Sequence, residues 1–236
     1  MSIPDPAVIL VTGASSGIGA AVARRLAGPG RTLHLVGRDE TRLASVGRDV
    51  DAEGGTAILH RCDLADHDAV DADAARLADA LPRLDALVHS AGIVSLGPVE
   101  SASIADLDRQ YAVNLRTPFA LTTALTPALV AVRGQVVFVN SGAGQRSNPG
   151  WSQYAATKFG LRALADAYRA EVADRGVRVT TVYPGRTATP MQAEVHRQEG
   201  RDYDPNAFAT PDDIAGSITH AIDMPRSAIV TEISVR

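Results

Sequence analysis

The segment AVILVTGASSGIG, residues Ala7–Gly19, places a glycine-rich loop directly after an unbroken run of apolar residues. The loop leads into a stretch with apolar side chains at Ile18, Val22 and Leu26, whose spacing of four predicts a helix with one apolar face. A strand, a glycine-rich loop and a helix in this order present backbone N–H groups and the positive helix end to a phosphate. We therefore predict a dinucleotide site; a glycine-rich turn without a ligand is the alternative.

The three glycines of this loop have different predicted tasks. Gly13 permits the tight turn, Gly17 lets the backbone approach the ligand, and Gly19 allows close packing of helix on strand. Three residues separate Gly13 from Gly17, which departs from the commoner G-x-G-x-x-G spacing. The predicted cofactor contacts of the loop are Gly13, Ser15, Ser16, Gly17, Ile18 and Gly19.

Short apolar runs alternate with longer amphipathic runs along the chain. The short runs are rich in Val, Ile and Leu, as expected of strands covered on both faces. The predicted strands are Ala7–Thr12, Thr32–Val36, Ala57–Arg61, Ala86–His89, Val136–Asn140, Val177–Val182 and Ala228–Ile233. We predict a single α/β domain over residues 1–236, a Rossmann-like, doubly wound, parallel seven-stranded sheet with helices on both faces. The irregular segment 185–212 is expected to be a helical excursion or lid on the substrate side.

Composition narrows the class of protein. The 236 residues are 45% hydrophobic and 21% charged, with a formal net charge of −4, which indicates a packed globule and no nucleic-acid partner. No apolar run reaches the length of a membrane span, so no membrane partner is expected. The single cysteine, Cys62, excludes an internal disulfide and is expected to be a small core residue. The expected location is the cytoplasm, and the scattered histidines predict no metal site.

Of the 23 basic residues counted as Lys and Arg, only Lys158 is a lysine. It follows Tyr154 by four residues, and positions four apart share one face of a helix. A phenol with a pKa near about 10 is a poor acid–base group at neutral pH, and a neighbouring ammonium lowers that value. The pair is therefore predicted to transfer protons, with Lys158 lowering the pKa of Tyr154.

The end of the second predicted strand bears on the choice of cofactor. An acidic residue there would accept a hydrogen bond from the ribose 2′-hydroxyl of NAD, but the position holds Gly37 and is followed by Arg38. A guanidinium suits a 2′-phosphate, so we predict NADP(H) in preference to NAD(H); a solvated surface Arg38 is the alternative. Asp39 complicates this choice unless it caps the following helix.

Polar residues follow two other strand ends, where parallel sheets bind ligands. Asp63, followed by Leu64, either accepts from an adenine amino group or caps the next helix. Ser141 either holds a substrate carbonyl oxygen beside Tyr154 or is a turn serine.

Two further segments carry candidate site residues. The sixth predicted strand ends in Pro184 and Gly185, and the exposed backbone that continues through Thr187 to Thr189 either binds a carboxamide or only ends the strand. Asn114 is a polar residue inside an otherwise helical run and must find hydrogen-bond partners there.

Together these motifs resemble the short-chain dehydrogenase/reductase family over nearly the whole chain, from Val8 to about Val230. TGASSGIG is similar to the T-G-x-x-x-G-x-G cofactor loop of that family, and the pair Tyr154 and Lys158 is similar to its Tyr-x-x-x-Lys motif. The resemblance implies that the catalytic residues are Asn114, Ser141, Tyr154 and Lys158. It also implies cofactor contacts, beyond those of the glycine loop, from Arg38, Asp63, Leu64, Ala91, Gly92, Tyr154, Lys158, Pro184, Gly185, Thr187 and Thr189.

The chain departs from the family pattern in two places. Relatives often have Asn-Asn-Ala-Gly after the fourth strand, whereas this chain has the residues His89–Gly92, so the strand-stabilising bonds of the first Asn must come from elsewhere. The chain also stops after the seventh predicted strand, without the glycine-rich tail of many tetrameric relatives. By analogy we expect a homodimer through the helices around Leu107–Leu129 and Tyr154–Asp174, with a tetramer as the alternative.

The function that the resemblance implies is NADP(H)-dependent reduction of a carbonyl to an alcohol, or the reverse, on a small molecule. Tyr154 is expected to donate its proton to the developing alkoxide while Ser141 hydrogen-bonds the same oxygen. Asn114 is expected to hold a water that connects Lys158 to solvent. The alternatives are an epimerase or dehydratase that retains NAD, and a non-catalytic NADP-binding regulatory protein. Trp151, Met191, His196, Tyr203 and Phe208 either give the substrate pocket an apolar lining or are packing or surface residues, and Trp151, just before Tyr154, is the strongest candidate for the pocket.

Overall fold

The computed structural model describes residues 4–236, and a parallel sheet of seven strands forms its centre. The strands are β1 (Ala7–Thr12), β2 (Arg31–Gly37), β3 (Thr56–Arg61), β4 (Ala86–His89), β5 (Gln135–Val139), β6 (Arg178–Pro184) and β7 (Glu232–Val235). Their order across the sheet is β3-β2-β1-β4-β5-β6-β7, and every neighbouring pair is parallel. This confirms the predicted Rossmann-like, doubly wound sheet.

Eight α-helices of the described chain connect and cover the strands. They are α1 (Gly17–Leu26), α2 (Glu40–Ala52), α3 (His67–Ala80), α4 (Ile104–Tyr111), α5 (Thr117–Ala131), α6 (Ser152–Val172), α7 (Pro190–Glu199) and α8 (Pro211–Asp223). A π-helical turn, Ala112–Arg116, joins α4 to α5, and a 3₁₀ turn, Gly142–Gly144, follows β5. Across residues 4–236, none of the helices has both the length and the apolar character that crossing a bilayer would need.

Two apolar layers lie on opposite faces of the sheet, because successive side chains of a strand point to opposite faces. On β1, Ile9 and Val11 pack into one layer with α1, α2 and α8, whereas Leu10 packs into the other with α3, α5 and α6. Side chains on both faces of the central strands are fully buried, which explains the continuous apolar runs of the sequence.

The predicted strands differ from the observed ones mainly at the seventh. The first and fourth have the predicted bounds, and the second, third, fifth and sixth differ by one or two residues at their ends. Prediction placed the seventh at Ala228–Ile233, but Ala228 closes a turn by donating its N–H to the carbonyl oxygen of Pro225. Strand β7 begins only at Glu232, where it pairs with β6 alone, and its residues alternate between exposed and half-buried.

The order of the strands shows at which edge of the sheet a cofactor is expected to bind. The chain moves outward from β1 to β2 and β3, then returns to the other side of β1 with β4. Ligands of open parallel sheets bind at the carboxyl ends of the strands beside such a reversal. The segments after β1, β4, β5 and β6 all meet at this edge.

Candidate active site and cofactor cleft

Two adjoining cavities, each of about 480 Å³, lie at the carboxyl ends of the strands. One contains Ser141, Tyr154 and Lys158, and the other contains the glycine loop and Arg38. They share lining residues, including Ser90, so they form one continuous cleft. This brings the predicted proton-transfer group and the predicted phosphate loop to opposite halves of the same groove.

The glycine loop has the close backbone approach that its sequence predicts. Gly13 has φ = 66°, and a Cβ on it would lie 2.8 Å from the Cα of Ala91. A Cβ on Gly19 would collide with the carbonyl oxygen of Gly13, so helix α1 packs directly on the loop. Ser16, the residue before α1, makes no side-chain cap, which leaves the first N–H groups of the helix for an anionic ligand. These features fit the pyrophosphate of a dinucleotide.

Thr12 holds the glycine loop against the turn after β4. Its hydroxyl oxygen accepts hydrogen bonds from the N–H groups of Ser90 (3.1 Å) and Ala91 (3.2 Å). His89, which stands where relatives often have Asn, lies 2.9 Å through Nε2 from the hydroxyl of Thr122. Sequence reasoning did not identify Thr12, although its place as the last residue of β1 is the signal that could have done so.

The region around Arg38 suits a negatively charged group. Arg38 is exposed, lines the cleft and has no hydrogen bond or ion pair to another described side chain. Asp39 is occupied, because one carboxylate oxygen accepts from the N–H of Arg42 (3.0 Å) and the other lies 3.3 Å from its Nε. Asp39 therefore caps α2, which is the alternative that the sequence leaves open for it. The carboxylate does not compete with Arg38 for a ligand.

Asp63 and Leu64 line the same part of the cleft. The alternative in which Asp63 caps the next helix is wrong, because α3 is capped by Asp66, whose carboxylate accepts from the N–H of Ala69. Asp63 instead accepts from the N–H of Ala65 at 3.1 Å, one turn earlier. Next to them, burial raises the pKa of the Cys62 thiol to about 12, so Cys62 is a core residue and not a reactive thiol.

Tyr154 lies at the start of α6, 5% exposed, beside the turn that carries Ser141. Burial raises the pKa of Tyr154 to about 12, and the hydrogen bond with Ser141 acts against this rise. Ser141 also accepts a hydrogen bond from the N–H of Ala143 (3.1 Å), which fixes its hydroxyl oxygen. The phenol and the serine hydroxyl therefore lie close to each other and line the same cavity of the cleft.

Lys158 is 3% exposed and shares the cleft-facing side of α6 with Tyr154. Its Nζ donates to the carbonyl oxygen of Val139 (3.2 Å) and lies 5.7 Å from the centre of the Tyr154 ring. Burial lowers the pKa of Lys158 to about 8. The prediction that Lys158 lowers the pKa of Tyr154 is therefore not met in the protein alone, because loss of hydration dominates for both groups.

Asn140, which sequence reasoning passed over, ties the two halves of this group together. Its side-chain N–H donates to the carbonyl oxygen of Lys158 (3.0 Å), and its side-chain oxygen accepts from the N–H of Ser141 (2.9 Å). Gly144 packs against both Asn140 and the Lys158 backbone. The signal in the sequence is a buried amide directly before the candidate serine.

Asn114 is fully buried in the π-helical turn between α4 and α5. Its side-chain oxygen accepts from the N–H of Ile93, and its amide donates to the carbonyl oxygen of Ile93 and to the hydroxyl of Thr157. Thr157 in turn donates to the carbonyl oxygen of Tyr154 (2.8 Å). Asn114 therefore links the segment after β4 to the helix that carries Tyr154.

The segment after β6 runs along the cleft as the sequence predicts. Gly185 donates its N–H to the carbonyl oxygen of Val235, and Thr187 donates its hydroxyl to the carbonyl oxygen of Gly185. Thr189 caps α7 by accepting from the N–H of Gln192 (3.2 Å), which leaves its hydroxyl proton free to donate. The cleft-lining residues of this segment include Pro184, Gly185, Thr187 and Thr189.

The wall of the cavity beyond Tyr154 is aromatic and basic. The Trp151 ring meets the Tyr154 ring edge-on, with centres 5.9 Å apart, and the guanidinium of Arg186 lies 5.9 Å from the Trp151 ring. Glu199 holds Arg186, with its two oxygens 2.7 and 2.8 Å from one nitrogen. Trp151 and Met191 line the cavity, as predicted.

For the other three candidates the packing alternative holds, since none of them lines the cavity. His196, Tyr203 and Phe208 pack on one another instead, with ring centres 5.4 to 6.2 Å apart. They stabilise the segment from α7 to α8 from behind. An aromatic residue in that irregular segment can either line the pocket or pack within the segment, and the sequence does not distinguish the two. In the structure these three residues pack within the segment.

Comparisons with known proteins agree with this geometry. Residues 7–200 match the family model described as short chain dehydrogenase. The chain is 32% identical, over 95% of its length, to the 3-oxoacyl-[acyl-carrier-protein] reductase of Synechocystis sp., and covers 92% of that protein. It is also 32% identical to glycine betaine reductase ATRR of Emericella nidulans over 97% of this chain, but spans only 18% of that relative's length.

A solved structure gives the same result in three dimensions. A metagenomic short-chain oxidoreductase in complex with NADP superimposes with a TM-score of 0.83 at 34% identity, covering 98% of this chain and 97% of that one. The match to the family model extends over most of the sequence and includes the glycine loop, Ser141, Tyr154 and Lys158. The chain belongs to the short-chain dehydrogenase/reductase family, and it shares that family's oxidoreductase fold.

Proposed function

We propose that this chain is an NADP(H)-dependent oxidoreductase that reduces a carbonyl group of a small molecule to an alcohol, or catalyses the reverse reaction. The observation that supports this most strongly is the convergence of Ser141, Tyr154 and Lys158 on one cavity of the cleft. The glycine loop lies in the adjoining cavity, so a dinucleotide that spans both would reach the hydroxyl pair. The name of the Synechocystis relative, a 3-oxoacyl reductase, also describes a carbonyl reduction.

The residues present fit the cofactor that this proposal requires. The glycine loop and the uncapped start of α1 would hold the pyrophosphate, and the carbonyl and hydroxyl groups from Pro184 to Thr189 would hold the carboxamide. Lys158 uses one of its three donors on Val139, which leaves two for ribose hydroxyls. When bound, NADPH supplies the hydride for the carbonyl carbon.

Tyr154 supplies the matching proton in the proposed reduction. A pKa of about 12 keeps the phenol protonated at neutral pH, the state from which it donates to the carbonyl oxygen. Ser141 donates a second hydrogen bond to the same oxygen as negative charge develops there. Lys158 stabilises the phenolate left after the transfer, since its ammonium lies on the same side of α6.

Asn114 is proposed to take part in proton resupply by holding a water between Lys158 and solvent. Its amide protons are both used, on Ile93 and Thr157, so the water would bind the lone pair of the side-chain oxygen that Ile93 leaves free. The fixed amide also positions α6 through Thr157 and the Tyr154 carbonyl oxygen.

The preference for NADP(H) over NAD(H) is part of the proposal. Arg38 has a free guanidinium in the cleft, and Asp39 spends both carboxylate oxygens on Arg42. A 2′-phosphate there would meet the Arg38 cation, while the Asp39 carboxylate is engaged by Arg42. The NADP in the similar metagenomic oxidoreductase is consistent with this choice.

The test is consumption of NADPH, followed by absorbance, with a panel of aldehydes, ketones and quinones. We expect turnover with at least one of them and slower turnover with NADH. Protein that arrives with bound NAD and does not exchange it would favour the epimerase or dehydratase alternative. Tight NADPH binding without any turnover would favour the regulatory alternative.

We also propose that residues 1–236 act as one domain in the cytoplasm and form a homodimer. Tyr111, Phe119 and Phe159 are each at least 43% exposed. Leu115, between Tyr111 and Phe119 in the sequence, packs close to Gly160 beside Phe159, so the elements that carry the three rings are neighbours, and the rings are the proposed dimer contact. Light scattering should give a dimer mass, and Phe119→Glu should give a monomer; a monomeric native chain would contradict this.

A further inference from the structure

The cavity that contains Tyr154 has a charge composition unlike the rest of the molecule. The whole chain carries more Asp and Glu (27) than Lys and Arg (23). Of the described residues that line this cavity, none has a carboxylate side chain, while four are basic. The basic residues are Arg146, Lys158, Arg186 and Arg236. The adjoining cofactor cavity, by contrast, has both signs, with Asp39, Asp63 and Glu194 among its lining residues.

Two of these four cations already have partners or tasks within the protein. Arg186 is paired with Glu199, and Lys158 is buried against Val139 and faces Tyr154. Arg146 has no ion pair or side-chain hydrogen bond with another described residue. Its N–H donates to the carbonyl oxygen of Gly142 (3.1 Å), so its backbone is fixed by the turn that carries Ser141. Arg146 thus offers an unpaired guanidinium on a backbone that is held next to the turn of Ser141.

A second unsatisfied donor lines the same cavity. Gln192, on α7, lines the cavity and is 7% exposed, yet its side-chain N–H₂ group has no partner in the described residues. Buried amide donors are normally paired, so an unpaired one beside a cavity indicates an acceptor supplied by a ligand. The lining of the cavity also includes the apolar side chains of Val94, Trp151 and Val195.

We propose that the substrate is a carbonyl compound that also carries an anionic group, and that Arg146 recognises this group while Gln192 donates to an oxygen of the substrate. This inference rests on the proposed reductase function and names the class of its substrate. The anion is the carboxylate of an oxo acid or the phosphate of a phosphorylated carbonyl compound, since a guanidinium binds either. The apolar side chains of the lining contact the carbon chain between the carbonyl and the anion.

The experiment compares carboxylates with neutral compounds of the same carbon skeleton. The pairs are levulinate with methyl levulinate, and para-formylbenzoate with its methyl ester; glyceraldehyde 3-phosphate against glyceraldehyde gives the phosphate arm. We expect kcat/KM of the wild type to be about tenfold or more higher for the anionic member of at least one pair. Its KM should rise with salt, because the Debye length falls from about 30 Å at 0.01 M to about 3 Å at 1 M.

Substitutions test whether Arg146 causes the preference for anionic substrates. Arg146→Gln should bring the anion-to-neutral ratio of kcat/KM close to one while leaving the neutral compound within about twofold, and Arg146→Lys should restore part of it. Arg48→Gln makes the same charge change on the exposed face of α2 and should leave the ratio unaltered. Gln192→Met should raise KM for the substrate, with KM for NADPH unchanged.

The outcomes separate this inference from the proposed function. Neutral compounds reduced as well as anionic ones, or a preference that survives in Arg146→Gln, would overturn the inference and leave the reductase function intact. If nothing is reduced, the reductase function fails, and binding still tests the anion site. Trp151 is the single tryptophan and lies in the cavity wall, so its fluorescence with NADP⁺ present should respond to benzoate more than to benzamide. An equal response to both would overturn the inference.

Discussion

At the residue scale, burial decides the electrostatics of the site. Tyr154 and Lys158 lie on one side of α6, as their spacing predicts, but water is excluded from both. Loss of hydration raises the pKa of the phenol to about 12 and lowers that of the ammonium to about 8. Sequence spacing shows that two groups are neighbours, whereas it does not show how deeply they are buried. The direction in which the pKa of Tyr154 shifts therefore could not be predicted from the sequence.

The pKa of Lys158 predicts how reduction depends on pH. Below about pH 8 the amino group of Lys158 is charged, and its charge is lost as the pH rises through about 8. Tyr154 stays protonated up to about pH 12. We expect kcat/KM for reduction to be flat below about pH 8 and to fall by about tenfold per pH unit above it. Steady-state rates from pH 6 to 10 at limiting NADPH measure this. A profile that stays level to pH 10 would count against a role for the charged lysine.

Arg38 carries the cofactor preference in our proposal. Arg38→Ala removes the free guanidinium from the cleft and should raise KM for NADPH by about tenfold or more, with KM for NADH changed by less than about twofold. The same substitution at Arg48, on an exposed face of α2, is the matched control. Equal effects of Arg38→Ala on the two cofactors would remove the basis for the NADP assignment.

At the element scale, the sequence predicts the regular parts of the fold and misses the irregular ones. The strands that begin and end in apolar runs are predicted to within two residues, because both faces of each strand are buried. Strand β7 is an edge strand with one neighbour, and little in its composition marks where it begins. The π-helical turn around Asn114 breaks an otherwise continuous helical pattern, and only the fixed partners of the amide, Ile93 and Thr157, account for it.

This turn supplies a test at the same scale. Asn114→Ala removes three buried hydrogen bonds. The N–H and the carbonyl oxygen of Ile93 and the hydroxyl of Thr157 each lose a partner. The free energy of unfolding should fall by about 2–4 kcal/mol, measured by denaturant titration. Asn206→Ala, at an exposed position, should change it by less than about 0.5 kcal/mol. A loss below about 1 kcal/mol at position 114 would show that the turn does not depend on this amide.

At the scale of the whole molecule, buried histidines that do not line the cleft make the stability of the fold depend on pH. His89 packs on Phe138 and contacts Thr122, and burial lowers its pKa to about 3. His34 stacks on His60 between β2 and β3, and burial together with His60 lowers its pKa to about 4. His89 and His34 are therefore neutral in the folded protein at neutral pH. They tie the stability of the sheet to the acidity of the solvent.

Acid is expected to destabilise the folded protein through His89, whose pKa is lower in the folded than in the unfolded chain. Below about pH 6.5 the unfolded chain binds protons at His89 that the folded chain does not, so stability falls as the pH drops toward about 3. His89→Gln keeps a donor near Thr122 and removes the titration, and it should reduce the loss of stability between pH 7 and 5 by about 2 kcal/mol. His220→Gln, at an exposed position, should lose as much as the wild type. The same acid loss in His89→Gln would contradict this.

In the proposed reaction a single phenol, that of Tyr154, exchanges a proton with the substrate inside the cofactor cleft. Tyr154→Phe removes that hydroxyl and keeps the ring against Trp151, so the cleft itself should be preserved. The most direct measurement is the NADPH dissociation constant of this variant, by fluorescence titration, together with its kcat on the best carbonyl substrate. We predict a dissociation constant within about threefold of the wild type and a kcat lower by about 10³-fold or more. A variant that binds NADPH normally and turns over at nearly the wild-type rate would contradict the account.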